Sequence, residues 1–246
     1  MAEKRGYRSI FYKEYYQNQV GRLQGIKSSE KLVIEKKLFT AEIIPLLDNN
    51  RSSKILDIGC GFGSLIASLA DAGYANTIGI DISEQQVDIA HTLGLKQIKQ
   101  GDVFDFLDAN KNTFDIITAM DILEHFTKDE CMKLMSLIKE SLTHNGMVLF
   151  RTPNADAPMG NMYLYGDFTH ELILNASSAH QLMLNAGFCQ VQITESRVKV
   201  AGFLKLILQQ LSWFVLKAIY KWIIFATART TKGIILTPNI IIKARL

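Results

Sequence analysis

Cysteine is scarce. Only Cys60, Cys131 and Cys189 occur among 246 residues, an odd number with no CxxC pair. This argues against a disulfide scaffold or a thiolate zinc site and for a reducing, cytoplasmic compartment. Proline is nearly as rare, with four residues, and 48% of the chain is apolar against 21% charged. A collagenous, low-complexity or disordered chain is excluded, and there is ample material for a core. The opening MAEKRGYRSIFYKEYYQNQ holds no apolar run of the kind a secretory signal needs. One end also lacks acid. After Glu195 come nine basic residues and no acidic one: Arg197, Lys199, Lys205, Lys217, Lys221, Arg229, Lys232, Lys243 and Arg245. The net charge of +3 therefore hides a split, because the remainder holds 18 of the 27 basic residues and all 24 acidic ones, a balance of −6. Such a basic end predicts contact with an anionic surface.

The chain opens with a helical segment over residues 1–50, in which SSEKLVIEKKLFTAEIIPLL carries apolar residues at helical spacing. From 51 onward, strands alternate with amphipathic helices. KILDI, TIGID, FDIITAM and GMVLFRTP read as strands, and KQIKQGD as a weaker one. Gly73 closes one helix, Ser83 caps a second, and Thr127 with Glu130 forms a capping box for a third. This pattern predicts a single α/β domain over 51–246, a doubly wound, mainly parallel sheet. The alternating CQVQITESRVKV and the apolar PNIIIKARL would close it as an antiparallel hairpin, with 201–233 inserted between them.

The chemistry gathers where the first strand meets its helix, in ILDIGCGFGSL. Gly59, Gly61 and Gly63 allow a tight turn and close approach of backbone to a ligand. The spacing is G-x-G-x-G, preceded by Asp57, and differs from the dinucleotide G-x-G-x-x-G. No Lys-Ser/Thr pair follows, which excludes a P-loop. Asp81 ends the second strand, 18 residues after Gly63, where a carboxylate can accept from both ribose hydroxyls. Asp102 follows the third strand, a fitting place to meet an adenine amino group.

DIGCGFG, GIDIS, GDVFDF and FDIITAMDILEHF, in this order, resemble the motifs of class I S-adenosylmethionine-dependent methyltransferases over roughly residues 50 to 195. The resemblance implies a Rossmann-like fold and S-adenosylmethionine as methyl donor. It places Asp57 and the loop with Gly59, Cys60, Gly61 and Gly63 around the methionine part, and Asp81 with Ile82 at the ribose. Asp102 and Val103 would frame the adenine, with Met120 lining the pocket.

A fold of this kind does not define the acceptor. DILEHF sets Asp121, Glu124 and His125 at i, i+3 and i+4, which would share one face of a helical turn. A long loop after the fifth strand presents Asp167, Thr169, His170 and Glu171. A histidine near neutrality can remove a hydroxyl proton. His170 is the preferred base, with His125 and Glu124 orienting the acceptor. The acid-x-x-Glu-His group with a later His also resembles the divalent-metal site of small-RNA 3′-end and some quinone O-methyltransferases. The sequence does not favour a metal, because Asp121 stands where those carry Glu. D-x-T-H-E and the stretch Ser178–Phe188 resemble bacterial surface-polysaccharide and quinone-pathway O-methyltransferases, which implies an oxygen acceptor.

The insert, AGFLKLILQQLSWFVLKAIYKWIIFATARTTKG, reads as an amphipathic helix with lysines beside a wide aromatic and aliphatic face. Leu206, Trp213 and Tyr220 fall between its two polar groups and leave that side unclean. Its lysines interrupt the ~20 apolar residues of a membrane span, so an in-plane helix on anionic inner-leaflet lipid is expected. A homodimer interface, or a helix packed on its own domain, is the competing reading. Nucleic acid is not expected, since the aromatic residues belong to a greasy surface rather than a charged groove. The sequence thus predicts a cytoplasmic, peripheral membrane O-methyltransferase acting on a membrane-associated acceptor. A lipid-linked or cell-surface glycan comes first and a quinone precursor second. A non-catalytic S-adenosylmethionine-binding partner protein is a third reading.

Overall fold

The computed structural model describes residues 7–13, 27–196, 202–228 and 230–246. Arg197, Lys199 and Arg229 lie outside the described residues, as do the last four residues of CQVQITESRVKV.

Two helices come first, α1 (Tyr7–Lys13) and α2 (Ser28–Glu42). Strands β1 (Ile55–Ile58), β2 (Thr77–Asp81) and β3 (Ile98–Gln100) follow, with α3 (Ser64–Asp71) and α4 (Glu84–Thr92) between them. Then come α5 (Val103–Asp108), β4 (Phe114–Met120), a 3-10 turn (Leu123–His125), α6 (Lys128–Ser141) and β5 (Leu142–Pro153). The chain ends with α7 (Gly160–Leu164), α8 (Ala176–Asn185), β6 (Cys189–Ser196), α9 (Phe203–Ala226) and β7 (Asn239–Arg245).

The sheet runs β3-β2-β1-β4-β5-β7-β6, parallel through β5 and antiparallel for β7 and β6. This is the mainly parallel sheet, closed by an antiparallel hairpin, that the alternating pattern predicts. Every residue of β1 is buried, as a strand covered by helices on both faces must be. Leu56, Ile58 and Phe150 face one core layer with Leu134 and Met183, and Ile55 and Leu149 face the other with Phe39 and Leu65. Ser83 caps α4, and the Thr127–Glu130 box is formed in both directions. β5 begins earlier than GMVLFRTP implies, at Leu142, with a register irregularity between Phe114 and Ile116. GDVFDF is also more than a loop, because Asp102 accepts from the Phe104 amide and starts α5.

The parallel strands end at one edge. β1 runs out into the glycine loop, β2 into Asp81 and Ile82, and β4 into Asp121 and the 3-10 turn. Ligands of open α/β sheets bind beyond this edge.

Candidate active site

A cavity of about 1670 Å³ opens at that edge, bordered among others by Gly59, Asp81, Ile82, Asp102, Val103 and His125. The glycine loop is held from below. Gly59 and Gly63 have φ of +62° and +90°. A Cβ at Gly59 would lie 2.6 Å from Ile122 Cδ1, and one at Gly63 would lie 2.3 Å from Ile98 Cδ1, so larger residues are excluded by conformation and by contact. Asp81 Oδ2 accepts from the Gly61 amide at 2.8 Å, and Oδ1 from the Ser83 amide at 2.9 Å. Burial raises the Asp81 carboxyl from its ordinary value, against these two amides. Two amides leave a carboxylate further lone pairs for a diol. Beside it, Gln85 Oε1 is a buried acceptor with no hydrogen-bond partner among the described residues. A ribose with its hydroxyl donors and an adenine with its amino group fit these two acceptors. The sequence reading missed Gln85, which no motif marks.

Asp57, Cys60, Gly61, Gly63 and Met120 are not among the residues bordering the cavity. Asp57 is buried beneath the loop and accepts from the Thr118 hydroxyl at 2.7 Å. Burial pushes its carboxyl up to about 7. Met120 packs against the core layer of Phe39 and Leu65.

The expectation that Asp121, Glu124 and His125 share a helical face is not met. Asp121 sits at φ +55° and pairs with Arg151, which also reaches Glu42 at 3.4 Å and lies over the Phe39 ring. Glu124 accepts instead from the Thr152 hydroxyl at 3.1 Å. Arg151 and Thr152 are neighbours on a strand and point to opposite faces, so their partners separate as well. The Arg151 network was not read from the sequence, although an arginine ending the apolar run GMVLF signals a buried charge in need of carboxylates.

Glu124, His125 and His170 converge, with one ligand atom of each within 4.8 Å of the others. The Glu171 amide donates to the Glu124 carbonyl at 2.8 Å and fastens the acceptor loop over the 3-10 turn. His125 Nδ1 lies 2.9 Å from Thr169 Oγ1, and that hydroxyl donates to Asp167 Oδ1 at 2.7 Å. The His170 ring packs edge-on against His125, centroids 4.7 Å apart, and does not border the cavity. Burial, then His170, lowers His125 to about 4, so it is neutral at physiological pH. Burial, then Asp121, raises Glu124 well above the carboxylate range. Two imidazoles and a carboxylate could also bridge a divalent ion.

α1 lies over this region, an element whose role the sequence did not announce. Arg8 Nη1 donates to both Glu130 carboxylate oxygens, 2.8 Å to each, and Nη2 reaches Glu171 at 3.2 Å. Tyr7 hydrogen-bonds Glu171, Phe11 stacks on Phe168, and Tyr12 lies edge-on to His125. The helix thus joins the acceptor loop to α6.

Comparison with known proteins agrees with this geometry. A family model described as a methyltransferase domain matches residues 32–193. A ubiquinone biosynthesis O-methyltransferase of Hydrogenovibrio crunogenus is 31% identical over 139 residues, 54% of this chain and 55% of that protein. The chain spans about half the length of such curated relatives, 45% in a second case. Among solved structures, an S-adenosylmethionine-dependent methyltransferase from Archaeoglobus fulgidus superposes with a TM-score of 0.64 at 20% identity, covering 98% of this chain and 100% of that one. Phosphoethanolamine N-methyltransferase 2 of Haemonchus contortus, solved with S-adenosyl-L-methionine, gives 0.61 at 14% identity, over 95% of this chain and 59% of that one. The chain belongs to the methyltransferase-domain family, with the class I architecture of S-adenosylmethionine-dependent methyltransferases.

Proposed function

We propose that the chain is an S-adenosylmethionine-dependent O-methyltransferase in which His125, rather than His170, takes the proton of an acceptor hydroxyl. The observation that carries this is the Asp167–Thr169–His125 chain ending at the cavity wall. Thr169 gives its proton to Asp167, so it accepts from the Nδ1–H of His125 and leaves Nε2 as the basic nitrogen. The bound cofactor supplies a methyl group on a sulfonium. As the acceptor oxygen displaces the neutral thioether from that methyl carbon, its proton would pass to Nε2, with Asp167 stabilising the imidazolium through Thr169. His170 and Glu124 hold the ring in place.

The acceptor is a hydroxyl on a membrane-associated molecule, first a lipid-linked or cell-surface glycan, reached from the cytoplasmic face. A cavity larger than the ~300–1,000 Å³ of ordinary small-molecule sites supports a bulky acceptor beside the cofactor. A quinone precursor is the second reading, favoured by the ubiquinone O-methyltransferase relatives.

Turnover of glycan and quinol acceptors by H125A and H170A tests the scheme. H125A is expected to lose ~10²–10⁴-fold in rate at unchanged cofactor affinity, and H170A less. Activity abolished by EDTA and restored by a divalent ion would replace the base with a metal held by Glu124, His125 and His170. Cofactor binding without turnover of any acceptor would leave a non-catalytic binding protein.

A further inference from the structure

The insert leaves and re-enters the sheet at the catalytic edge. Ser196, at the end of β6, pairs with Asn239, at the start of β7, and Asn239 also pairs with Pro153, at the end of parallel β5. The Asn154 side chain, at the root of the acceptor loop, donates to the Ile235 and Thr237 carbonyls at 2.7 and 2.9 Å. The root of the insert and the loop that carries His170 are thus tied together.

α9 has no buried residue along its 24 residues, yet its two apolar sides differ. Leu206, Trp213, Tyr220 and Ile224 are half-buried and fall on one stripe at helical spacing. These include the three residues that leave the polar side unclean in the sequence. Leu208, Leu211, Phe214, Val215, Trp222 and Phe225 are exposed on the opposite side, Phe214 by 72% and Trp222 by 70%. At 100° per residue Lys221 flanks one margin of this exposed arc and Lys205 the other. Lys217 falls on the half-buried stripe instead, Lys232 adds charge beyond the helix, and residues 202–246 hold no acid.

We propose that α9 lies in the plane of an anionic bilayer surface, its exposed arc among the acyl chains and its lysines at the headgroups, and so holds the catalytic edge of the sheet against the lipid. Lysines on both margins suit a helix lying at the interface, where their stems run over apolar surface to reach the phosphates. The −6 remainder of the chain is repelled by the same lipid, which leaves the insert as the side that faces it. By length and composition alone α9 could cross a membrane. A crossing helix would reach ~36 Å from its start, and residues 227–238 would then return through hydrocarbon as extended chain with unpaired backbone groups. A second copy docked face to face would set lysine margins against each other. The proposal deepens the acceptor class given above and rests on that reading only for what is delivered to the site.

The chain has two tryptophans, one on each side of α9. Full-length W213F therefore reports Trp222, and full-length W222F reports Trp213. With vesicles of phosphatidylglycerol and phosphatidylcholine, both proteins should float. Trp222 emission should shift to the blue and be quenched several-fold more than Trp213 by lipids brominated on the acyl chains. With phosphatidylcholine alone, or in the K205E/K221E protein, flotation should fall at least tenfold. Absence of flotation on the anionic vesicles overturns the proposal. Equal quenching of the two tryptophans overturns the in-plane placement. A blue-shifted Trp222 without lipid, together with a dimer in sedimentation, would give the face to a second copy. Methyl transfer to a soluble acceptor is measured separately, so loss of docking and loss of the catalytic reading are told apart.

Discussion

β4 and α9 are both apolar stretches, and they end in opposite surroundings. FDIITAM lies between two helical layers, and its apolar side chains are buried apart from the partly buried Met120. FLKLILQQLSWFVLKAIYKWIIFA buries no residue among the described parts of the chain. Apolar composition turns into core only where topology supplies a second surface, and without one it is left for something outside the chain.

The strongest way to break this contrast is to strike the buried half through its charge network. Arg151 and Glu42 are under a tenth exposed, and Asp121 closes the network at the cavity. Arg151→Ala leaves two carboxylates without their partner, and an unfolding free energy lower by ~3–5 kcal/mol is expected in urea titration. A loss under ~1 kcal/mol would show that the network is solvated after all.

The cofactor wall comes next. Asp81→Ala removes the acceptor that organises the glycine loop and remains open to a ribose. Calorimetry should show affinity for S-adenosylmethionine weaker by ~1.5–3 kcal/mol. Unchanged affinity would move the ribose elsewhere on the wall.

A subtler probe is Asp57, whose carboxyl burial pushes up to about 7. A folded-state value above the unfolded one gives stability that is present below about pH 4 and lost as pH rises through 7. Asp57→Asn removes this dependence. The variant should gain on the parent by more than ~1 kcal/mol between pH 5 and pH 8, in cofactor-free protein. A constant difference across that range would place the charge in water.

The smallest effect is expected from the exposed half. Replacing residues 203–228 with a short Gly/Ser turn removes no buried side chain. Thermal unfolding should stay within ~0.5 kcal/mol of the parent, as for ordinary surface changes. A large loss would mean that α9 belongs to the core and that the contrast with β4 is false.

Much of this was legible in the sequence because it is local. The strand–glycine–helix turn at 55–64, the Ser83 cap, the Thr127–Glu130 box and the hairpin with its insert all follow from periodicity and from hydrogen bonds a few residues apart. The sheet order follows in turn, since alternating strands and helices admit few packings. Tertiary structure alone decided which groups meet across long separations. Asp121 pairs with Arg151, 30 residues on. His125 found Thr169, 44 residues on, and took the cavity wall while His170 packed against it. The awkward residues of α9, Leu206, Trp213 and Tyr220, fall on a half-buried stripe with Ile224. Side-chain spacing along a chain fixes direction within one element, but the partner that a buried charge or an imidazole meets depends on how elements pack, which no local pattern encodes.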